Sequence, residues 1–327
     1  ALEQGRRAVQ IYPKNTIQRN NLGLYAMYAG DFEAAIQEQR TVIEMNPNLV
    51  LGYVGTALPQ LALGHPDEAN ATYHQLEKLG ADGVSAAAAG LADVALYQGR
   101  ASEAITTLEA GISGDTAGKN PDGAATKLAT LSQAYLLAGN SAEATRATER
   151  ALAASHEIPI QFWAARSYIG ANLDTKALAI AHDFGSRLDA DPQAYGKLIE
   201  GEIQLKHGKA QDALRLFIES RKFADTWMGR FDAGRAYVEA GAFAEAESEL
   251  DACQKRRGEA TALFLDESPT YYLFPSVYYY LGRAQEGLNS SAAAESYQTF
   301  VSIREGGQDP LFADANKRLA ALKAHVN

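Results

Sequence analysis

Three aromatic–arginine pairs stand four residues apart in the C-terminal half of the chain: Phe162 and Arg166, Phe231 and Arg235, and Tyr279 and Arg283. On a helix, that spacing puts both side chains on one face. Leu198 and Glu202 repeat it between the first two pairs, with Tyr195 nearby. A guanidinium offers a planar fork that matches a carboxylate. Aromatic residues and arginine are also enriched at binding hot spots. Such a ladder can stack on a peptide and clamp its carboxylates, each charged hydrogen bond contributing about 1.5–3 kcal/mol. The other reading is internal: the rings pack between neighbouring helices while Arg166 and Arg235 neutralise Glu202. Both readings stay open at the level of sequence.

Other residues that could do chemistry are scattered. The histidines at 65, 74, 156, 182, 207 and 325 lie in separate places, with no i, i+4 pair around a helical Glu. No Cys–His cluster exists, so no metal site is expected. Cys253 is the single cysteine and reads as a small core residue. It makes no internal disulfide, which mildly favours a reducing compartment. The stretch "SGDTAGKN" looks like a phosphate loop, but Ser113 stands where the first Gly is required and Asn120 replaces the magnesium-binding hydroxyl. No strand precedes it, and it reads as a flexible linker. Asn70-Ala-Thr and Asn289-Ser-Ser fit the N-glycosylation pattern, which arises by chance in any long chain. Glu247 and Glu249 read as solvated helix surface. No catalytic, metal or cofactor-binding residue is assigned, and the chain by itself is not expected to be an enzyme.

With 46% hydrophobic and 21% charged residues, the chain is a folded one. Its net charge of −10 argues against a nucleic-acid partner, which needs clustered Lys and Arg. No apolar run approaches the roughly 18 residues of a membrane span, so no direct membrane contact is expected.

The elements that position the ladder recur. In "NNLGLYAMYAGDFEAAIQEQRTVIEMNPN", apolar residues at helical spacing flank a Gly30-Asp31 break, and Pro47 closes the unit. The unit resembles the tetratricopeptide (TPR) repeat, a helix hairpin with a period of about 34 residues. The pattern returns with Gly64 and Ala69, Gly99 and Ala104, Gly139 and Ala144, Gly208 and Ala213, and Gly241 and Ala246. "LGRAQEGLNSSAAAESY" supplies Gly282 and Ala293, and "AARSYIGANLDTKALAIA" supplies a copy with Asn172 in the turn. The resemblance implies an all-α, right-handed α-α superhelical solenoid of about eight hairpins over 16–304. Insertions are expected near 113–123 and 258–275, each loosening the local stacking. A C-terminal capping helix is expected over 309–325, with Asp309 as N-cap and Pro310 as its first residue. Residues 1–12 match the second helix of a preceding repeat, so a fragment of a larger protein is expected.

The segments "KRRGEATALFLDESPTYYLFPSVYYYLGRAQEGL" and "DPLFADANKRL" resemble the C-terminal TPR region of bacterial eukaryotic-like serine/threonine kinases. That implies a non-catalytic interaction or regulatory module, with a kinase domain upstream. A stand-alone adaptor in envelope or secretion processes, or the effector region of a winged-helix regulator, is the alternative. The resemblance implies a bacterial chain, in the cytoplasm, or in the periplasm or on the cell surface if a span precedes it. A TPR array binds protein or peptide on the concave face lined by its first helices. By register, Asn20, Leu24, Val54, Leu58, Ala89 and Asp93 give a bland N-terminal groove, and the aromatic–arginine ladder gives the C-terminal one. The same register makes Tyr278 core, turns Tyr279 to the groove, sets Tyr280 near the seam with the preceding pair and leaves Tyr271 and Tyr272 in the insertion.

Overall fold

The computed structural model describes residues 1–263 and 269–326, the last two without their side chains. Residues 264–268 of the longer insertion, and the His325 side chain, lie outside the described residues. After α1 (Leu2–Ile11) come eight helix pairs. They are α2 (Thr16–Tyr28) with α3 (Phe32–Met45), α4 (Val50–Ala62) with α5 (Pro66–Leu76), α6 (Gly80–Tyr97) with α7 (Ala101–Ala117), and α8 (Pro121–Leu137) with α9 (Ser141–Ala154). Then follow α10 (Ile158–Gly170) with α11 (Asp174–Ser186), α12 (Ala190–Lys206) with α13 (Ala210–Ser220), α14 (Trp227–Glu239) with α15 (Phe243–Lys255), and α16 (Pro275–Gly287) with α17 (Ala293–Ile303). Helix α18 (Pro310–Val326) ends the array. The first helices pack on one another and form the inner layer of an α-α superhelical solenoid.

One backbone device makes every hairpin. The turn residue takes a positive φ at Gly30, Gly64, Gly99, Gly139, Asn172, Gly208, Gly241 and Asn289. The next residue returns its N–H to a carbonyl five back, as Asp31 does to Ala26 and Leu173 to Tyr168. This is the Schellman closure, which needs a residue that tolerates the left-handed region, hence Gly or Asn. Five residues past most of these turn residues, the second helix places an alanine with no exposure, such as Ala35, Ala104 and Ala213, where the hairpin is tightest. Gly282 on α16 serves the same closeness, since a Cβ there would sit 2.7 Å from the Tyr297 ring. At the far end, Asp309 accepts the Leu311 N–H and starts α18.

The stretch read as a linker is helical instead. Ser113–Ala117 form the last turn of α7, and only Gly118–Asn120 join it to α8. The cause is a buried ion pair beneath it. Lys127 Nζ lies 2.6 Å from Asp115, both side chains being under 5% exposed, and donates to Ser85 as well. Asn120 caps α8 through the Gly123 N–H and donates to Asp115. These tertiary contacts outweigh the low helix propensity of Gly and Asp.

The array also closes on itself. Arg304, 3% exposed, donates to Leu96 O at the end of α6 and to Tyr272 O, ties that span 208 and 32 residues. The Gln308 N–H donates to Gly99 O at 2.7 Å, and Gln308 Oε1 accepts from the Ser102 N–H and hydroxyl. The eighth pair is thereby fastened to the third. Around Gly258 the chain presses on the turn of the first pair: a Cβ at 258 would sit 2.4 Å from Tyr28 O and 2.5 Å from Gly30 N. Arg257 lies over the Phe32 ring at 4.9 Å.

Candidate functional site on the concave face

The inner face of α10, α12 and α14 carries a buried charged cluster. Arg166 makes a fork with Asp232, Nη1 to Oδ2 at 2.9 Å and Nη2 to Oδ1 at 3.1 Å. Arg235 makes a second fork with Glu202 at 2.8 and 3.1 Å. Cross-links from Arg166 to Glu202 at 3.3 Å and from Arg235 to Asp232 at 2.9 Å complete a neutral set of two cations and two anions. Burial would raise the Glu202 carboxyl, but Arg235 and Arg166 outweigh it and hold it well below the usual carboxylate range. The rings roof the cluster: the guanidinium of Arg166 sits 5.6 Å from the Phe162 centroid, and that of Arg235 lies 5.8 Å from Phe231 and 5.7 Å from Tyr280.

The structure therefore brings together six of the eight residues singled out in sequence: Phe162, Arg166, Tyr195, Glu202, Phe231 and Arg235. Phe162 and Tyr195 touch at 5.1 Å between centroids, and both are buried, as is Phe231. Tyr279 and Arg283 stand apart. Tyr279 turns to the other side of α16, into a cluster with Tyr297 and Phe300, and its hydroxyl donates to Asp314 on α18. Arg283 stays close to the Tyr279 oxygen at 3.4 Å and to Glu239 at 3.6 Å. The ring that joins Arg235 is Tyr280, one residue on. Tyr278 packs edge-on against Phe274, with centroids 5.7 Å apart.

The insertion supplies the other half of the site. A short 3-10 helix, Glu259–Ala262, lies between the ends of α2 and α14. Pro269–Phe274 then crosses the inner face without helical structure as a strap. Tyr271 stacks on Phe274 at 4.7 Å and on Tyr97 at 6.1 Å, and meets Phe32 edge-on. At 2% exposure it is core, and its hydroxyl has no hydrogen-bond partner among the described residues. Tyr272 packs against Trp163 at 6.2 Å. Asp93 of α6 holds the strap in place, accepting the Thr270 hydroxyl on Oδ1 and the Tyr271 N–H on Oδ2 at 2.9 Å. Burial pushes the Asp93 carboxyl up to about 6, against hydrogen bonds from Thr270, Tyr271 and Tyr272 that pull it down. A cavity of about 70 Å³ remains beside Asp93, Gln133, Trp163 and Thr270. A larger one of about 320 Å³ opens on the other side, among Phe162, Trp227, Met228 and Glu259.

Two acids organise this face: Asp93, which the repeat register placed on the groove as a bland position, and Asp232, which sequence reasoning passed over. Asp232 stands one helical turn before Arg235, a spacing that pairs charges on one face. Asp93 stands alone in an apolar helix, "GLADVALY", where an isolated acid asks for a partner.

No family model and no curated protein matches the sequence. Solved structures do. The chain is similar to a tetratricopeptide repeat protein from Parabacteroides merdae ATCC 43184, at 16% identity over 94% of this chain and 99% of that one, with a TM-score of 0.47. It is similar to a chain of the APC/C hetero-tetramer Cut9–Hcn1, at 12% identity and TM-score 0.50, over 93% of this chain and 55% of that one. It is also similar to the TPR domain of P58(IPK), at 13% identity over 95% of this chain, with a TM-score of 0.31. The Cut9–Hcn1 likeness is one of fold: a TPR-like helical solenoid.

Proposed function

We propose that this chain is a non-catalytic interaction and regulatory module that takes a protein or peptide segment on its concave face. The observation that carries this reading is that a non-helical segment of the chain, Pro269–Phe274, already lies there, held by the Asp93 carboxylate and by the rings of Tyr97 and Phe32. A face that seats one such segment has the chemistry to seat another: apolar walls for affinity and a few placed polar groups for orientation. The charged cluster around Glu202 contributes by keeping α10, α12 and α14 in register beneath the rings. The resemblance of the last third to kinase-associated TPR arrays supports a place in a larger bacterial signalling protein, with a serine/threonine kinase domain upstream. Reading the gene upstream of Ala1 tests that part.

The binding reading is tested by photo-crosslinking. A crosslinking residue is placed at Thr130, beside the strap on the inner face, and in a second protein at Arg150 on the outer helix α9. Partner adducts from position 130 and none from 150 are the expected result. Adducts confined to position 150 would move the interaction to the convex side.

A further inference from the structure

We propose that Pro269–Phe274 is a built-in occupant of the binding face, and that the partner it gives way to is a segment repeating its chemistry: a Ser or Thr followed directly by an aromatic residue. The proposal rests on the concave-face reading above and specifies its ligand. Three features of the strap define what is recognised. The Thr270 hydroxyl and the Tyr271 N–H both donate to the one carboxylate of Asp93. Two adjacent donors on one acceptor read a hydroxyl residue and the amide after it, so a Val at the first position leaves one oxygen of Asp93 unanswered. The ring of the second residue enters the slot between Tyr97 and Phe32, which the strap closes with its own Phe274. Among the described residues that slot has no partner for a phenolic oxygen, since the Tyr271 hydroxyl goes unbonded there, so Phe suits it as well as Tyr.

The strap's hold on its own seat is incomplete. Asp93 is 5% exposed and no cation pairs with it among the described residues; its partners are strap donors. A buried carboxylate without a cation is costly to keep. The small cavity beside Thr270 and Tyr272 leaves one flank of the strap unpacked. An incoming segment that presents the same donors replaces the same bonds one for one, so exchange costs little.

The test uses the full chain and a fluorescent hexapeptide, Pro-Thr-Tyr-Tyr-Leu-Phe, with a twin carrying Val for Thr. Thr270→Val weakens the resident strap and keeps its volume. The Thr270→Val chain should bind the Thr peptide at least about ten-fold more tightly than the native chain does, and about ten-fold more tightly than it binds the Val twin. Asp93→Ala should erase that preference. Hydrogen exchange follows the Tyr271 amide in parallel: it should speed up in Thr270→Val while amides in α8 stay protected, which shows that the fold survives. An unchanged Tyr271 amide, or equal affinity for the two peptides, overturns the proposal. If a natural partner still crosslinks at position 130 after that outcome, the concave-face reading survives without the strap as its template. If the peptides behave as expected and no partner reaches position 130, the template stands and the wider reading falls.

Discussion

Arg166 and Arg235 hold two carboxylates that are almost wholly removed from water, Asp232 having no side-chain exposure and Glu202 16%. Removing one cation leaves a buried negative charge with half its compensation. Arg166→Met is expected to destabilise the fold by about 3–5 kcal/mol in denaturant titrations. Tyr271→Phe should do the reverse or nothing. It keeps the ring between Tyr97 and Phe274 and deletes a buried hydroxyl that has no partner among the described residues. A gain of up to about 1 kcal/mol is expected by the same measurement. The i, i+4 spacing made the pairing of Phe162 with Arg166 and of Phe231 with Arg235 readable from sequence. It did not reveal which way α16 is rotated. Tyr279 faces α17 and α18 because Asp314 there accepts its hydroxyl, a contact 35 residues away that no local pattern encodes. Asp93 was placed on the groove by register, but its part in holding the strap was not legible, since its partners lie 177 and 178 residues downstream.

At the scale of elements, the hairpins were legible because a left-handed turn leaves a chemical mark. Gly30 and its counterparts are backbone requirements, and they appear at the same place in each unit whatever the helices around them contain. Asn172 and Asn289 hold that conformation less comfortably than Gly. The insertions were legible as breaks in period, but their conformations were not. Composition alone made "SGDTAGKN" a linker, whereas the buried Lys127–Asp115 pair winds most of it into helix. The strap depends on one close approach. Gly258→Ala would drive a Cβ into the backbone at Tyr28, Met27 and Gly30, none of which can rotate away. Hydrogen exchange should report loss of protection at the C-terminal end of α2 and at Tyr271, with the α8–α9 hairpin unaffected.

Across the whole molecule, two ionisations act with opposite sign. The Asp93 carboxyl is raised in the folded chain from 3.8 to about 6. The native state therefore keeps a proton that the unfolded chain has lost, and stability falls as pH rises from about 4 through about 6. Among the described residues, the titratable groups that face Asp93 are Tyr73 from α5 and Tyr272 from the strap, and neither changes charge in that window. Glu202 is lowered, so its contribution is present above its unfolded value of 4.5 and is lost as pH falls toward its folded value. Thermal midpoints should peak in mildly acidic buffer. Asp93→Asn, whose amide can mimic the protonated acid toward Thr270 and Tyr271, should flatten the neutral side of that profile and leave the acid side unchanged.

Arg304 and Gln308 give the array a property that stacked repeats ordinarily lack. In an open solenoid each unit speaks only to its neighbours, so the ends fray and unfolding can spread unit by unit. Here a bond joins positions 208 residues apart, and Gln308 reaches Gly99 and Ser102. An open spring has become a clasped bracelet. The clasp joins residues more than 200 apart in sequence, and contacts that distant are slow to form. Cutting it with Arg304→Met should enlarge the radius of gyration in X-ray scattering and broaden one cooperative denaturation into a staggered one. The native chain then loses its third pair and its eighth pair together.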